Sequence, residues 1–460
     1  MKKSVKITLA VVLALLILAG AGIGGYAYYR STHIFVEDAV YDKDAQSLDL
    51  RGTGVSAAHY ESVRAQLPGC DIRWEVPFQG AFLSDDTREL TLTELTREDI
   101  ALLDYFPQLE RVDLTGCADF ESVYALLEAR PDLDIAYQVS IGSRVYPHTT
   151  KSLSYGTDAP DMAELTEALK WLPQLETIHF DQPQMPAQQL LDLREAYPDI
   201  AVTWEKDILD QTYDQDLVEL DFTGATYTDI SELDFLKEAA PYFPALETVR
   251  LGRCGLPNET LAAFREEMRP WCKIVWTFKI YTMTVNTDDL YFMPNKTGAR
   301  VADYQLQELK YCEDMLCIDL GHQPVRNLDF LYGTPHLKYL IVADGPLLYI
   351  DPIGSLKELV YLELFMTEVN DYTPLLGCTA LEDINVCFTE GDVTFFAQMP
   401  WLKTLWANNC GASKADIALL EAALPNTNMD FYNLCNYGGW REVQNYFDMR
   451  DLLGMNYNTW

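Results

Sequence analysis

Between residues 315 and 410 the apolar positions recur in one arrangement. They read Met315-x-x-Ile318-x-Leu320, Leu337-x-x-Leu340-x-Val342, Leu359-x-x-Leu362-x-Leu364, Leu381-x-x-Ile384-x-Val386 and Leu402-x-x-Leu405-x-Ala407. Their starts lie 22, 22, 22 and 21 residues apart. Side chains alternate along a strand, so Leu362 and Leu364 share one side while Glu363 takes the other. A constant interval means that each coil lays its strand beside the last and buries a shared interior.

The pattern continues upstream in looser form, with strand-like cores at Leu48, Leu90, Val112, Leu153, Ile178, Leu220, Val249 and Leu290. The long gaps between them each hold one more strand, announced by proline: Pro68 to Trp74, Pro131 to Tyr137, Pro198 to Trp204 and Pro270 to Trp276, with a fifth copy from Pro425 to Phe431. The count is 18 parallel strands between residues 48 and 429, a mean interval near 22. Connecting segments have helical spacing, as at Leu261, Phe264 and Met268 or Ile417, Leu420 and Leu424. Pro186 opens one such helix, and Pro68, Pro198 and Pro425 stop others, because proline fixes φ and lacks an N–H. The prediction is an α/β solenoid of strand, turn and helix.

Several of these blocks extend to a cysteine: Leu109-x-x-Val112-x-Leu114-x-x-Cys117, Leu246-x-x-Val249-x-Leu251-x-x-Cys254 and Leu402-x-x-Leu405-x-Ala407-x-x-Cys410. They resemble leucine-rich repeats. The 22-residue block containing Val369-Asn-Asp-Tyr-Thr-Pro-Leu375 is similar to the internalin-type repeats of bacterial surface proteins. The resemblance covers most of residues 45–435 and implies a horseshoe-like solenoid, with a parallel sheet on its concave side and helices or turns outside. In most coils the buried Asn of the family's turn is replaced by Thr, Gly, Gln, Pro or Ala.

Ahead of the repeats, residues 7–29 carry no formal charge. As a helix this run is about 35 Å long, enough to cross a hydrocarbon core. Lys2, Lys3 and Lys6 before it, against Arg30 alone after it, place the N-terminus in the cytoplasm and the rest outside. The predicted organisation is a cytoplasmic n-region at 1–6, a transmembrane signal anchor at 7–29 and a juxtamembrane segment with N-terminal cap at 30–47. The solenoid follows at 48–435, with a C-terminal cap at 436–460. The competing reading is secretion after cleavage near Ala21. Gly20, Gly22 and Gly25 match a dinucleotide loop by spacing but end a membrane span, so the match is chance. Gly20 and Gly24 form a GxxxG pair that would let two spans pack as a homodimer; the competing reading is small-residue flexibility before the surface.

The chain has 34 Lys and Arg against 70 Asp and Glu, a formal charge of −36. With the four N-terminal cations removed, the exported part carries 30 basic and 70 acidic residues. Such a polyanion repels phosphate backbones, which excludes nucleic acid as a partner and keeps the repeats standing off an anionic envelope.

Local chemistry is sparse. The six histidines show no i, i+4 pair, and there is no CxxC, nucleophile elbow, Walker loop or EF-hand. No metal, cofactor or catalytic residue is assigned. Among ten cysteines, Cys70, Cys117, Cys254, Cys272 and Cys410 sit at repeat positions and read as core spacers. Cys312–Cys317 and Cys378–Cys387 are the candidate local bridges.

Residues between the inward apolar ones point to the concave face. That column is small and polar at first and turns aromatic and apolar from residue 290. Tyr291, Ile341, Glu363, Phe365, Asn385, Phe388 and Trp406 form the predicted ligand site. The function this supports is non-catalytic binding of a protein or glycan at the cell surface. The alternatives are a parallel β-helix polysaccharide lyase or hydrolase, and a structural envelope spacer. For the face itself the competing arrangement is that the C-terminal tail folds back over these side chains.

Overall fold

The computed structural model describes residues 25–432 and 441–455. The chain divides into two compact units, Met1–Trp204 and Glu205–Trp460. The predicted span at residues 7–29, with Gly20, Ala21 and Gly24, lies almost wholly outside the described residues. Among the described residues no helix is long and apolar enough to cross a membrane.

Every one of the 18 expected positions holds a short strand, the one expected at Leu290 beginning one residue later, at Tyr291–Phe292. In the first unit Ser47–Asp49 pairs parallel with Asp71–Arg73, Arg111–Asp113 lies between Glu89–Thr91 and Asp134–Ala136, and Ser152–Tyr155 pairs with Thr177–Asp181. The second unit has Glu219–Asp221, Thr248–Gly252 and Lys273–Ile280 in parallel order. It then forms an unbroken seven-stranded parallel sheet from Tyr291–Phe292 to Asn428–Asp430. Within this sheet the register is fixed across coils: Ile318, Leu340, Leu362, Ile384, Leu405 and Met429 stand side by side. The first five of these are fully buried in one apolar core.

The ladder is not uniform, which corrects the expectation of a single parallel array. Among the described residues one antiparallel hairpin precedes it, at 33–42, and four interrupt it, at 75–84, 138–147, 205–214 and 277–286. Each has a two-residue turn whose first residue (Glu37, Gln79, Gly142, Leu209 or Tyr281) has a left-handed φ. That geometry matches the twist of the flanking strands. Four of the hairpins follow the proline-announced strands directly. The aromatic residue at each junction is buried, with Trp74, Trp204 and Trp276 among the most enclosed side chains of the chain. Trp74 stacks on Tyr60 at 3.9 Å.

Coil length decides what covers the outer side. Where strands lie 24 or 25 residues apart, α-helices fit, as at Ala57–Gln66, Ala187–Ala196, Asn258–Met268 and Lys414–Ala423. Leu261, Phe264 and Met268 are buried on one such helix, as their spacing predicts. The 22-residue coils use the 3₁₀ segments Asp329–Gly333, Asp351–Ser355 and Thr373–Gly377. A 3₁₀ helix rises about 2.0 Å per residue against 1.5 Å, so fewer residues span the same edge. These helices contradict the β-helix reading.

In several coils the turn position after the strand is filled by a group that bonds a backbone carbonyl. Thr367 Oγ1 donates to Leu364 O at 2.7 Å, and the Cys410 thiol donates to Val386 O at 2.8 Å. Cys70, Cys117, Cys254, Cys272 and Cys410 are all free, as spacers should be. The proposed local bridges are absent: Cys312, Cys317 and Cys378 are also free. Cys378 lies in the leucine core with its thiol on Ile353 O, whereas Cys387 is on the opposite side of its strand. Cys387 is in a disulfide, and no other described cysteine is its partner.

The 3₁₀ segments stack so closely that a Cβ on Gly377 would run into the carbonyl of Gly354. Gly377→Ala should therefore destabilise the second unit by about 1–3 kcal/mol, since the backbone of the neighbouring coil must give way. The check is a lower urea midpoint at unchanged m-value.

Candidate functional site

In the seven-stranded sheet one residue of each short strand faces the leucine core and its two neighbours face the other way. Cys317/Asp319, Tyr339/Ile341, Tyr361/Glu363, Asp383/Asn385 and Thr404/Trp406 make that second face. The predicted column is thus on the side the alternation dictates. It is not open.

The helix Gln444–Leu452 lies across it. Tyr446, Met449 and Leu453 pack with Cys317, Ile341, Ala343 and Tyr361 in a second apolar cluster, separate from the leucine core. Val443 covers Cys387 and Trp406. Polar contacts tie the segment down: Arg441 Nη2 reaches Glu363 Oε2 at 3.3 Å, and Asn445 Nδ2 donates to Asp383 at 2.7 Å and Glu382 at 2.9 Å. At the far end Lys296 Nζ donates to Leu453 O at 3.2 Å. The tail is therefore not a cap on the end of the array but a strap over the sheet face.

This relocates most of the predicted site. Ile341, Glu363, Asn385 and Trp406 are buried beneath the strap, Glu363 at 0 % exposure. Phe365 is half-buried and meets Phe388 edge-on at 5.6 Å. Only Tyr291 and Phe388, at 39 % and 38 %, remain exposed among the seven. As a surface for an outside ligand the column is corrected to a covered interface, because its apolar side chains are satisfied within the chain. The helical spacing of Tyr446, Met449 and Leu453 signals the strap, but nothing in that spacing says which surface it covers.

The electrostatics follow from the covering. Burial pushes the Glu363 carboxyl above its ordinary range, against the pull of Arg441 and a hydrogen bond from Tyr361 Oη at 2.6 Å. Burial likewise raises Asp319 and Asp383, the latter in spite of bonds from Thr404 and Asn445. Burial is the largest influence on the Arg441 guanidinium and would lower it, but the charge of Glu363, the neighbouring Tyr446 and Tyr361 and the hydrogen bond to Glu363 together outweigh it and the group is raised. Among the described residues, no group of three His, Cys, Asp or Glu side chains is placed to hold a metal ion.

Of a second feature, beside the strap, sequence reasoning named only Phe388. His322, Asp344, Met366, Phe388 and Asn409 occupy one turn position in five successive coils, all with φ between 53° and 61°. Left-handed backbone costs a non-glycine residue about 1–2 kcal/mol. It persists because each amide extends the ladder by one bond: His322 N donates to Ala343 O, Asp344 N to Phe365 O, Met366 N to Cys387 O and Phe388 N to Asn408 O, at 2.8–2.9 Å. The side chains project outward, Met366 at 45 % exposure, and His322 Nδ1 pairs with Asp344 at 2.7 Å. Asp344, Met366, Glu368 and Phe388 line a shallow cleft of about 350 Å³.

No protein-family model matches the chain, and no curated protein does. Among solved structures it is similar to an internalin (InlF) of Listeria monocytogenes over 82 % of this chain and 96 % of that one, at 13 % identity and a TM-score of 0.27. A leucine-rich-repeat protein of Leptospira interrogans aligns over 74 % and 93 %, at 12 % identity and a TM-score of 0.25. The functional domain of InlJ from Listeria monocytogenes, which includes a cysteine ladder, aligns over 80 % and 65 %, at 14 % identity and a TM-score of 0.22. These neighbours are internalins and other leucine-rich-repeat proteins. At such TM-scores the likeness adds nothing to the strand register, which by itself shows a solenoid of short parallel strands over a leucine-rich core.

Seating the strap should depend on pH. Asp319, Glu363 and Asp383 are raised when covered and return to ordinary values when wetted, so the seated state binds protons more tightly. Their contribution to seating is whole below the ordinary carboxylate range and is lost as pH rises through the raised values. Hydrogen exchange in Gln444–Leu452, corrected for its intrinsic rate, should slow on mild acidification. Glu363→Gln should flatten that dependence. Faster exchange at the lower pH would contradict the assignment.

Proposed function

We propose that the chain is a membrane-anchored, outward-facing bacterial repeat protein that binds another protein, without catalysis, through the exposed turn row beside the strapped sheet. One observation carries this reading. Five successive coils hold left-handed, non-glycine turn residues, and these keep Met366 and Phe388 exposed above a cleft flanked by Asp344 and Glu368. Adjacent exposed apolar side chains rimmed by charge are typical of interaction surfaces, where scattered single ones are not. Backbone strain maintained at one repeat position is likewise concentrated where side chains must be aimed.

The anchor is supported by the first described residues. Residues 25–32 are helical and expose Tyr26, Tyr28 and Tyr29, with the Arg30 guanidinium over the Tyr26 ring at 5.6 Å. Tyrosines and a cation at the end of an uncharged run are the composition of a membrane–water boundary. The negative charge of the repeats suits a domain that stands away from anionic lipid.

The test uses the double variant Met366→Ala/Phe388→Ala as bait in envelope extracts beside the wild type. A protein captured by the wild type should be lost at least about tenfold, which corresponds to roughly 1.4 kcal/mol. Melting should stay within about 2 °C, because neither side chain belongs to the leucine core. Undiminished capture removes this surface from the account, and captured glycan in place of protein changes the partner class.

A further inference from the structure

The strapped face of the second unit is complementary to a particular kind of helix. Arg441, Asn445, Met449 and Leu453 are spaced four apart, with Tyr446 beside them, and all meet the sheet. The cation falls on Glu363, the amide on Asp383, and the apolar residues on Ile341 and Tyr361. We propose that this face is a docking site for an amphipathic helix of a partner protein, one that carries a cation opposite Glu363, and that the C-terminal helix occupies it in cis. This surface is distinct from the turn row and does not depend on it.

Three observations carry the proposal. First, the strap is separable. The leucine core beneath the sheet includes no residue of the strap, so lifting Tyr446, Met449 and Leu453 leaves that core intact. The occupying helix has nine residues and an N-cap, Val443, that makes no side-chain hydrogen bond. Isolated helices below about 12 residues are marginal in water, so this one is held by the face and not by its own propensity.

Second, the cis fit is incomplete. Asn385 stands between Glu363 and Trp406 in the register, at 1 % exposure. Its Oδ1 accepts from Cys387 N at 2.9 Å, while its Nδ2 has no hydrogen-bond partner among the described residues. A buried donor without an acceptor is costly. A helix that brings a carboxylate or carboxamide oxygen over Asn385 would satisfy it and so outbid the resident strap.

Third, the charge is lopsided. Asp319, Glu363 and Asp383 all face the strap, and Arg441 is the cation paired with Glu363. A face with three carboxylates rejects an acidic helix and favours a basic one.

The cis helix competes at an effective concentration in the millimolar range, so an intact chain should bind a free helix weakly. The probe is a fluorescent peptide with the sequence of residues 441–455, added to full-length protein. Wild type is compared with the double variant Met449→Asp/Leu453→Asp, which unseats the strap and leaves the sheet unchanged. The peptide should bind the double variant at least about tenfold more tightly than wild type. Replacing Arg441 by Ala in the peptide should weaken its binding to that variant about tenfold, as expected when the enclosed Glu363 is left without its cation. Equal affinity for both chains, or no binding to the unseated one, overturns the proposal. Should the double variant lose the circular dichroism of the repeats, Arg441→Ala takes its place with the same expectations. A wild-type dimer abolished by Met449→Asp/Leu453→Asp would show exchange of straps between copies and overturn the partner-helix reading.

Discussion

Everything in the second unit depends on strand alternation held in register. A three-residue strand commits its middle residue to one face and its neighbours to the other, and a slip of one position would exchange the two. Because Ile318, Leu340, Leu362, Ile384 and Leu405 stack at equivalent positions, the leucine core and the opposite face are decided together. The second face then inherits whatever stands between the leucines. Here that is Ile341, Glu363, Asn385 and Trp406, a mixture too apolar to leave wet and too charged to bury without partners. The strap resolves both halves of that conflict with one short helix.

Eighteen strands were legible in the sequence because a single apolar residue per coil, at a nearly constant interval, marks each one. The hairpins were not legible. Their turn pairs are Glu37-Asp38, Gln79-Gly80, Gly142-Ser143, Leu209-Asp210 and Tyr281-Thr282, and only Gly142-Ser143 is among the pairs that identify a tight hairpin in sequence. Their four-residue strands also fall inside gaps that one further parallel strand nearly accounts for. The site was legible in its side of the sheet and illegible in its accessibility. Burial of Trp406 depends on Val443, 37 residues later in the chain, and no periodicity links the two.

The turn row and the strapped face come from the same coils but answer to different constraints. At the turn, the chain continues its hydrogen bonding three residues past each strand, and the left-handed φ of His322, Asp344, Met366 and Phe388 is what that extension demands. Glycine would meet the demand at no steric cost. The chain keeps large side chains there instead, and the ladder absorbs their strain. On the face, by contrast, the backbone is relaxed and the tension is electrostatic.

That tension explains why the strap carries Arg441 when a leucine would seal the same space. Replacing a buried ion pair by apolar side chains is often neutral or stabilising, so the Arg441–Glu363 contact is a poor device for stability alone. It is an effective device for position. Apolar contacts between Tyr446, Met449, Leu453 and the sheet would tolerate a helix shifted by a turn, or lying in the opposite sense. A guanidinium that must meet one enclosed carboxylate, with Asn445 meeting Asp383 four residues on, tolerates neither. Wrong placements leave Glu363 buried and unpaired, a penalty larger than the gain from the pair itself. The polar contacts therefore set where the helix sits, and the apolar ones supply most of the energy that holds it there.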